Sequence, residues 1–528
     1  MEEFDYIVVG GGSGGCTVAS RLSENGKNRV CLIETGGGGT SPLIRAPAGI
    51  AAILPTPFYN WAYKPEPQKG LNGRTGYQPR GRALGGSSAI NAMLYVRGHQ
   101  KDYDEWRDLG NPGWGWDDVL PYFKKSEGNA WGEDELHGAS GPLSVEDQRS
   151  PHAIQQAFLE AGRQTQIRIN PDFNGPEQEG LGVYQVTQKN GERCSAAAAY
   201  ILPNLERPNL TVMTKTFANR IVFENKRAVG VEIEDKKGTR IVRASSEIIV
   251  AGGAFNTPQL LMLSGIGDGR ALSNLGIEVV HDNPQVGQNL QDHIDYTAAY
   301  KSPLKDVFGI SLKGTVDLTR AIFEWRNKKT GKLTSPFAEA GGFVKSSPEI
   351  DRPDLQYHFV VGIVDDHSRK IHLGHGFSCH MCVLRPKSRG SVSLKSAKPR
   401  DRVSIDTNFL AEQEDVDLLL KGFHNMRQLL EAPALAPWRK KELFTAGVSD
   451  DATLEKIIRD RADTVYHPVG TCRMGSDEQA VVDPQLRVNG VEGLRIADAS
   501  IMPRLIGGNT NAPTIMIGEK CADMVMNG

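Results

Sequence analysis

Two residues near the end of the chain have types suited to moving a proton. His467 stands before Pro468, and Asn511, 44 positions further on, is followed by Ala512-Pro513. An imidazole titrates near neutral pH and can take a proton from a hydroxyl, while a carboxamide can donate to the same oxygen and orient it. Proline restrains both segments. The residue before a proline favours an extended backbone, and Pro513 suits the first turn of a helix read over Thr514 to Met526. That helix is expected to start where the pair meets.

Such a pair needs a scaffold, and the first forty residues describe one. Tyr6 to Val9 is a short apolar run ending at Gly10, Thr17 to Leu22 reads as a helix, and Val30 to Ile33 forms a second strand closing on Glu34. Across the turn lies Gly10-x-Gly12-x-x-Gly15, with Ser13 and Gly14 inside it and Glu34 nineteen residues beyond Gly15. This is the spacing of a dinucleotide fold: Gly10 permits the turn, Gly12 lets a pyrophosphate approach, Gly15 lets helix and strand pack, and Glu34 accepts from a ribose hydroxyl. Gly11 to Gly15 also fits the G-x-S-x-G nucleophile elbow, which would make Ser13 the nucleophile of an α/β hydrolase. Against that alternative, an elbow normally follows several strands of the sheet, and Glu34 would have no task.

Two further stretches carry more information. Gly81-Arg82-Ala-Leu84-Gly85-Gly86-Ser87-Ser88-Ala-Ile90-Asn91-Ala92-Met93-Leu94-Tyr95 offers successive amides and hydroxyls along a loop, suited to a phosphate and a flat ring. Gly253 to Gly267 reads as a capped helix with Pro258 near its first turn and Gly265 at its end. With these, the chain resembles the glucose-methanol-choline oxidoreductase family over its whole length. Further matches are Val286 to His293, Phe337 to Phe343, Tyr466 to Gly475 and Ala497 to Ser500. Within the family, Gln185 to Gly191, Asp366 to Ile371 and Pro386 to Gly390 look most like bacterial alcohol dehydrogenases of alkane and polyethylene glycol breakdown.

The resemblance implies an α/β protein: a Rossmann-like FAD-binding domain from 1–150, 191–300 and 455–528, and a substrate domain with an antiparallel sheet and flanking helices from 151–190 and 301–454. It implies oxidation of a primary alcohol to an aldehyde by hydride transfer to flavin N5, with His467 as base and Asn511 as its partner. Electrons would pass to a quinone-type acceptor. An aryl or furan alcohol oxidase and a choline dehydrogenase are the alternatives. The implied cofactor set adds Thr35, Trp61, Arg82, Leu84, Gly85, Gly86, Ser88, Asn91, Ala92, Met93 and Leu94 to the glycine turn. Ala218, Ala251, Asp498, Ala499, Asn511 and Thr514 complete it, and Tyr466, Val361 and Phe359 are assigned to the substrate. Some relatives tether FAD through a histidine where this chain has Ile90, so noncovalent FAD is expected. An arginine usual in the family is replaced by Ala198.

Composition bounds the rest. At 528 residues two domains are expected. Lys+Arg 61 against Asp+Glu 63, without a basic run, argues against a nucleic-acid partner. No apolar run is long enough to cross a bilayer, and the N-terminus enters a strand at once, so a cytoplasmic monomer or homodimer is expected. Seven scattered cysteines suit a reducing compartment. Cys379-His-Met-Cys382 invites a zinc site, but strand alternation would point the two thiols to opposite faces, so no metal is expected. Leu312, Val316, Thr319 and Phe323 form a stripe among basic residues. It either packs on its own domain or rests on the inner face of the membrane.

Overall fold

The computed structural model describes residues 2–149 and 152–527; the domain boundary expected at 150/151 lies outside them. β1 (Glu3–Val9), α1 (Ser13–Leu22) and β2 (Val30–Glu34) form the strand, turn and helix read from the sequence. Ile7, Val8 and Val30 to Ile33 are buried without a polar face, as strands covered on both sides require. β3 (Leu210–Thr214) lies parallel beyond β2. β4 (Phe217–Glu224), β5 (Arg227–Asp235) and β6 (Gly238–Val250) follow as an antiparallel meander. β6 has three partners: its first half pairs with β5, and its second half lies between β1 and Leu494–Ile496, parallel to both.

α2 (Gly253–Leu263) leaves the end of β6. Pro258 lies inside this helix rather than in its first turn, so the Ala254 carbonyl has no helical donor. The Thr471 hydroxyl donates to that carbonyl at 2.7 Å. The proline therefore opens an anchor for the segment carrying His467.

The second sheet is antiparallel. β7 (Ile294–Ser302) is followed by α3 (Leu312–Lys328), β8 (Ala338–Val344), β9 (Leu355–Val360), β10 (Gly374–Val383) and α4 (Gln413–Glu431). The strands lie in the order β7, β10, β9, β8, with Gly180–Val183 beyond β8. One face packs on Val416, Leu419, Phe423 and Met426 of α4. β11 (Leu494–Ile496) returns to the first sheet, parallel to β6, and α5 (Asn511–Asn527) closes the chain against α1. A Cβ on Gly518 would stand 2.8 Å from the Gly14 carbonyl, so the two helices touch only because that position is glycine. Buried Glu519 ties them together, accepting from Arg21 Nε at 2.8 Å and from the Tyr200 hydroxyl at 2.8 Å.

Two domain limits read from the sequence fall inside elements. Residue 300 lies within β7, which belongs to the second sheet, and residue 455 lies within the helix Asp451–Arg461, whose Leu454 and Ile458 pack in the core of that sheet. Strand pairing and helix packing carry the chain past both limits.

Candidate active site

A cavity of about 1000 Å³ runs from the glycine turn to the inner face of the second sheet. At its first end Gly10, Gly12, Ser13, Gly14, Glu34, Thr35, Trp61, Ala218 and Ala251 form the wall. Gly10 adopts φ +107°, and a Cβ there would lie 2.4 Å from the Ala251 carbonyl. A Cβ on Gly12 would meet no protein atom nearer than 3.8 Å, so what its absence leaves free is cavity space beside the start of α1. Glu34 accepts from the amides of Gly11 and Gly36 at 2.9 and 2.7 Å. Burial nonetheless pushes its carboxyl up to about 7.

The middle of the cavity is the loop after Gly81. Gly86, Asn91, Ala92, Met93 and Leu94 line it, together with Arg80, Ser87 and Ile90, which were not assigned from sequence. Five assigned residues do not reach the wall. Gly15 packs against Gly10, and Leu84 is buried behind Gly11. Gly85 donates to the Gly11 carbonyl, and Ser88 receives the Ala196 amide. Exposed Arg82 lies over Trp61, 5.5 Å from its ring centroid. Each supports the wall from behind, a distinction that motif membership does not carry.

Buried Arg193 holds the loop, and Ala198 contributes no side-chain hydrogen bond to it. Arg193 donates to the Asn91 carbonyl at 2.6 Å, the Asn91 side chain at 2.9 Å and the Ile44 carbonyl at 2.9 Å. Burial pulls its pKa down to about 9. Asp498 also serves the protein, accepting from the Gly253 amide and the Thr257 hydroxyl at the start of α2 while it and Ala499 edge the cavity.

At the far end His467 is held from several directions. Its amide donates to Asp292 Oδ1 at 2.8 Å, and Asp292 also accepts from Thr464 and Gln78. Burial raises the Asp292 carboxyl to about 6. Tyr466, just before it, sits at φ +79°, an uncommon conformation for a large side chain, fixed by the Arg80 guanidinium on its carbonyl and by His367 at its hydroxyl. Burial, with His358 and Arg80 nearby, holds the His467 pKa well below its ordinary value, so the ring is neutral.

The amide beside His467 is Asn509, not Asn511. Asn509 Nδ2 donates to His467 Nε2 at 3.2 Å, and Gln356 donates to Asn509 Oδ1 at 2.9 Å, which sets the amide's direction. Asn511 accepts from the Ser13 hydroxyl at 2.7 Å. α5 starts at Asn511, three residues earlier than read, so that position is already committed to the helix facing α1 and Thr514 lies a turn inside. The same bond gives Ser13 an amide partner and no histidine, which removes the nucleophile reading.

Phe359 and Val361 are also displaced. Both are buried in the core of the second sheet, Phe359 stacked on Phe158 at 4.4 Å, while their neighbours His358 and Val360 line the cavity. The assignment was one residue out of phase, and in a strand one residue exchanges the faces. Cys379 and Cys382 enter different packed clusters by the same alternation, and among the described residues no group of three His, Cys, Asp or Glu side chains is placed to hold a metal.

A mixed sheet with a parallel core and a glycine turn, a returning C-terminal helix and a buried histidine at the far end of the cavity together have the form of a flavoprotein-type oxidoreductase. The chain belongs to the GMC oxidoreductase family: the family's N-terminal model matches residues 4–295 and its C-terminal model residues 386–518. It is 47% identical to an alcohol dehydrogenase [acceptor] of Pseudomonas putida, over 99% of this chain and 96% of that protein. It is 43% identical to the mitochondrial choline dehydrogenase of Homo sapiens, over 99% and 90%. Among solved structures, pyridoxine 4-oxidase from Mesorbium loti has a TM-score of 0.89 at 31% identity, covering 98% of both chains. Formate oxidase of Aspergillus oryzae, whose FAD has been studied structurally, has 0.92 at 27%, covering 99% and 98%. The cofactor is FAD, and the wall from Gly12 and Glu34 to Asn91 fits it.

Proposed function

We propose that this enzyme oxidises neutral primary alcohols to aldehydes, with His467 as the base and a quinone-type compound as the final acceptor. The observation that carries the reading is His467 with Nε2 accepting from Asn509, in a cavity whose wall there also carries Met93, Leu94, Phe337, Val360 and Val465. An alcohol oxygen placed between them would donate its proton to Nε2 and accept from the Asn509 amide. Bound FAD supplies the two-electron acceptor for the hydride that leaves the carbinol carbon. Met93, Leu94, Phe337, Val360 and Val465 would exclude water around that carbon.

The carboxylates on the cavity wall, among the described residues, are Glu34 and Asp498, both at the dinucleotide end. A quaternary ammonium head would find no carboxylate on the wall beside His467 and would rest on the rings of Phe337 and Tyr466 alone, whereas a neutral alcohol needs neither. Aliphatic and ether-linked chains suit the apolar exit past Ile310, Leu318, Ile322 and Ile371. Buried Ile90 offers no atom for a covalent bond to the ring, which supports noncovalent FAD.

The membrane reading has its own support. The stripe on α3 does not pack on its domain: Ala321 and Trp325 are its buried residues, while Leu312 is 91% and Phe323 60% exposed. Ile371 and Leu373, each 71% exposed, continue the patch at the cavity exit. Residues 301–332 hold eight basic side chains and three acidic ones in a chain of net charge −2. An apolar face ringed by cations suits an anionic bilayer surface, from which a quinone could be reached. No helix is long and apolar enough to cross a membrane among the described residues. The seven unpaired, buried thiols accord with a cytoplasmic site for that contact.

The deciding experiment is anaerobic. Linear primary alcohols, polyethylene glycol, benzyl alcohol and choline are mixed in turn with the oxidised enzyme, and then oxygen or a soluble quinone is admitted. Bleaching by the neutral alcohols and rapid recovery with quinone are expected. Bleaching by choline alone would end the substrate reading, and fast recovery with oxygen alone would end the acceptor reading.

A further inference from the structure

His467 has a second ring nitrogen, and its partner lies outside the cavity wall. His293, fully buried at the start of the second sheet, places Nδ1 2.9 Å from His467 Nδ1, the two rings nearly perpendicular at 89°. One of these two nitrogens must carry the proton between them. The other nitrogen of His293 decides which. Its Nε2 lies 3.1 Å from the Leu384 carbonyl and 3.1 Å from the Ile506 carbonyl. Carbonyl oxygens only accept, so Nε2 of His293 must be the donor.

Burial keeps His293 neutral, its pKa pulled down to about 3, so the ring holds one proton and that proton is spent on the carbonyls. Nδ1 of His293 is then a bare acceptor, and His467 must donate to it through its own Nδ1. The reverse arrangement would aim a lone pair of His293 at two carbonyl oxygens in a dry interior. We infer that His293 is a positioning residue whose Nδ1 lone pair holds the proton of His467 on Nδ1, leaving Nε2 free to face the substrate hydroxyl. This rests on the alcohol-oxidising reading for its kinetic consequence, but the proton's position is independent of it.

The same chain of bonds closes one route for the proton. After Nε2 takes the hydroxyl proton, the cation is His467 itself, with its Nδ1 hydrogen still on His293. His293 cannot pass a proton onward, because its other hydrogen-bond partners among the described residues are backbone carbonyls. The proton therefore leaves from Nε2, on the cavity side. Around this ring stand His358 from β9 and Arg80 from the loop before Gly81, both opposing a positive charge, with neutral His293 accepting at Nδ1 and Asp292 on the backbone amide.

The test uses the FAD-loaded enzyme and two variants. His293→Phe removes the acceptor; His293→Gln offers an oxygen acceptor to His467 and an amide donor to the carbonyls. The rate of anaerobic flavin reduction at saturating alcohol is expected to fall roughly 10²-fold in His293→Phe, as expected for a base held in the wrong tautomer. The alcohol concentration for half-saturation should stay within about threefold, and His293→Gln should recover at least about tenfold of the lost rate. The acid limb of the reduction rate should move to lower pH in His293→Phe, because the His467 cation loses the acceptor for its Nδ1 hydrogen. Equal rates in both variants with an unmoved acid limb would mean that His293 only fills space, and wild-type turnover in His293→Phe would overturn the inference outright. Nitrogen-15 NMR of histidine-labelled wild-type enzyme tests the proton's position without any alcohol. A His467 signal protonated at Nε2 refutes the inference even if no alcohol proves to be a substrate, whereas failure of every alcohol with Nδ1 protonated refutes only the proposed reaction.

Discussion

Asn509 and Asn511 flank one residue and face different chemistry. Asn509 aims its amide at His467 Nε2, and Asn511 belongs to the turn that meets Ser13. Replacing Asn509 with Ala should lower the rate of flavin reduction roughly 10²-fold, the usual cost of one donor aimed at a reacting oxygen. Asn511→Ala should cost less in that rate and show instead as easier loss of FAD on gel filtration. The opposite ranking would return the partner role to Asn511. His467→Ala should retain a yellow protein whose kcat is lower by roughly 10² to 10⁴, as the proposed role of the ring as base requires. A colourless product, or unchanged turnover, would remove His467 from the reaction.

Strand and helix faces decide what these residues meet. β9 presents His358 and Val360 to the cavity and Phe359 to the core, so Phe359→Ala should destabilise the protein by about 3–5 kcal/mol in denaturant unfolding. Its effect on the KM of an alcohol should be small; a large KM change without lost stability would place Phe359 in the pocket. α3 has the reverse problem, an apolar face with no protein against it. Leu312→Asp together with Phe323→Asp should abolish co-sedimentation with vesicles containing phosphatidylglycerol and leave reduction by a short soluble alcohol intact. Wild-type enzyme that stays in the supernatant with such vesicles at low salt would discard the membrane contact.

For the whole molecule, the cavity joins two sheets, and burial has shifted one carboxyl on its wall, Glu34, and one behind it, Asp292. Glu34 rises from 4.5 to about 7 and Asp292 from 3.8 to about 6, so the folded chain keeps protons that the unfolded chain releases. Stability from these two groups is full below pH 4 and is lost as pH rises through about 6 and then about 7. Glu34→Gln cannot ionise. The melting temperature of the FAD-free variant, relative to FAD-free wild type, should therefore be higher at pH 8 than at pH 5. A difference independent of pH would show that Glu34 titrates normally.

By itself the sequence determined the nucleotide turn, because short-range spacing dictates a strand, a glycine turn and a helix start, while its run of matching motifs carried the family and singled out His467. It also placed most of the cavity wall, since Gly10 to Gly14, Glu34 and Asn91 to Leu94 act where the backbone puts them. Which amide faces His467, which face of β9 meets the substrate, and that His293 stands behind the base were decided only by tertiary structure. Each depends on the phase of a strand or helix against a partner hundreds of residues away in the chain. A shift of one residue in a strand, or two at a helix start, leaves the sequence pattern unchanged and exchanges the atoms in the site.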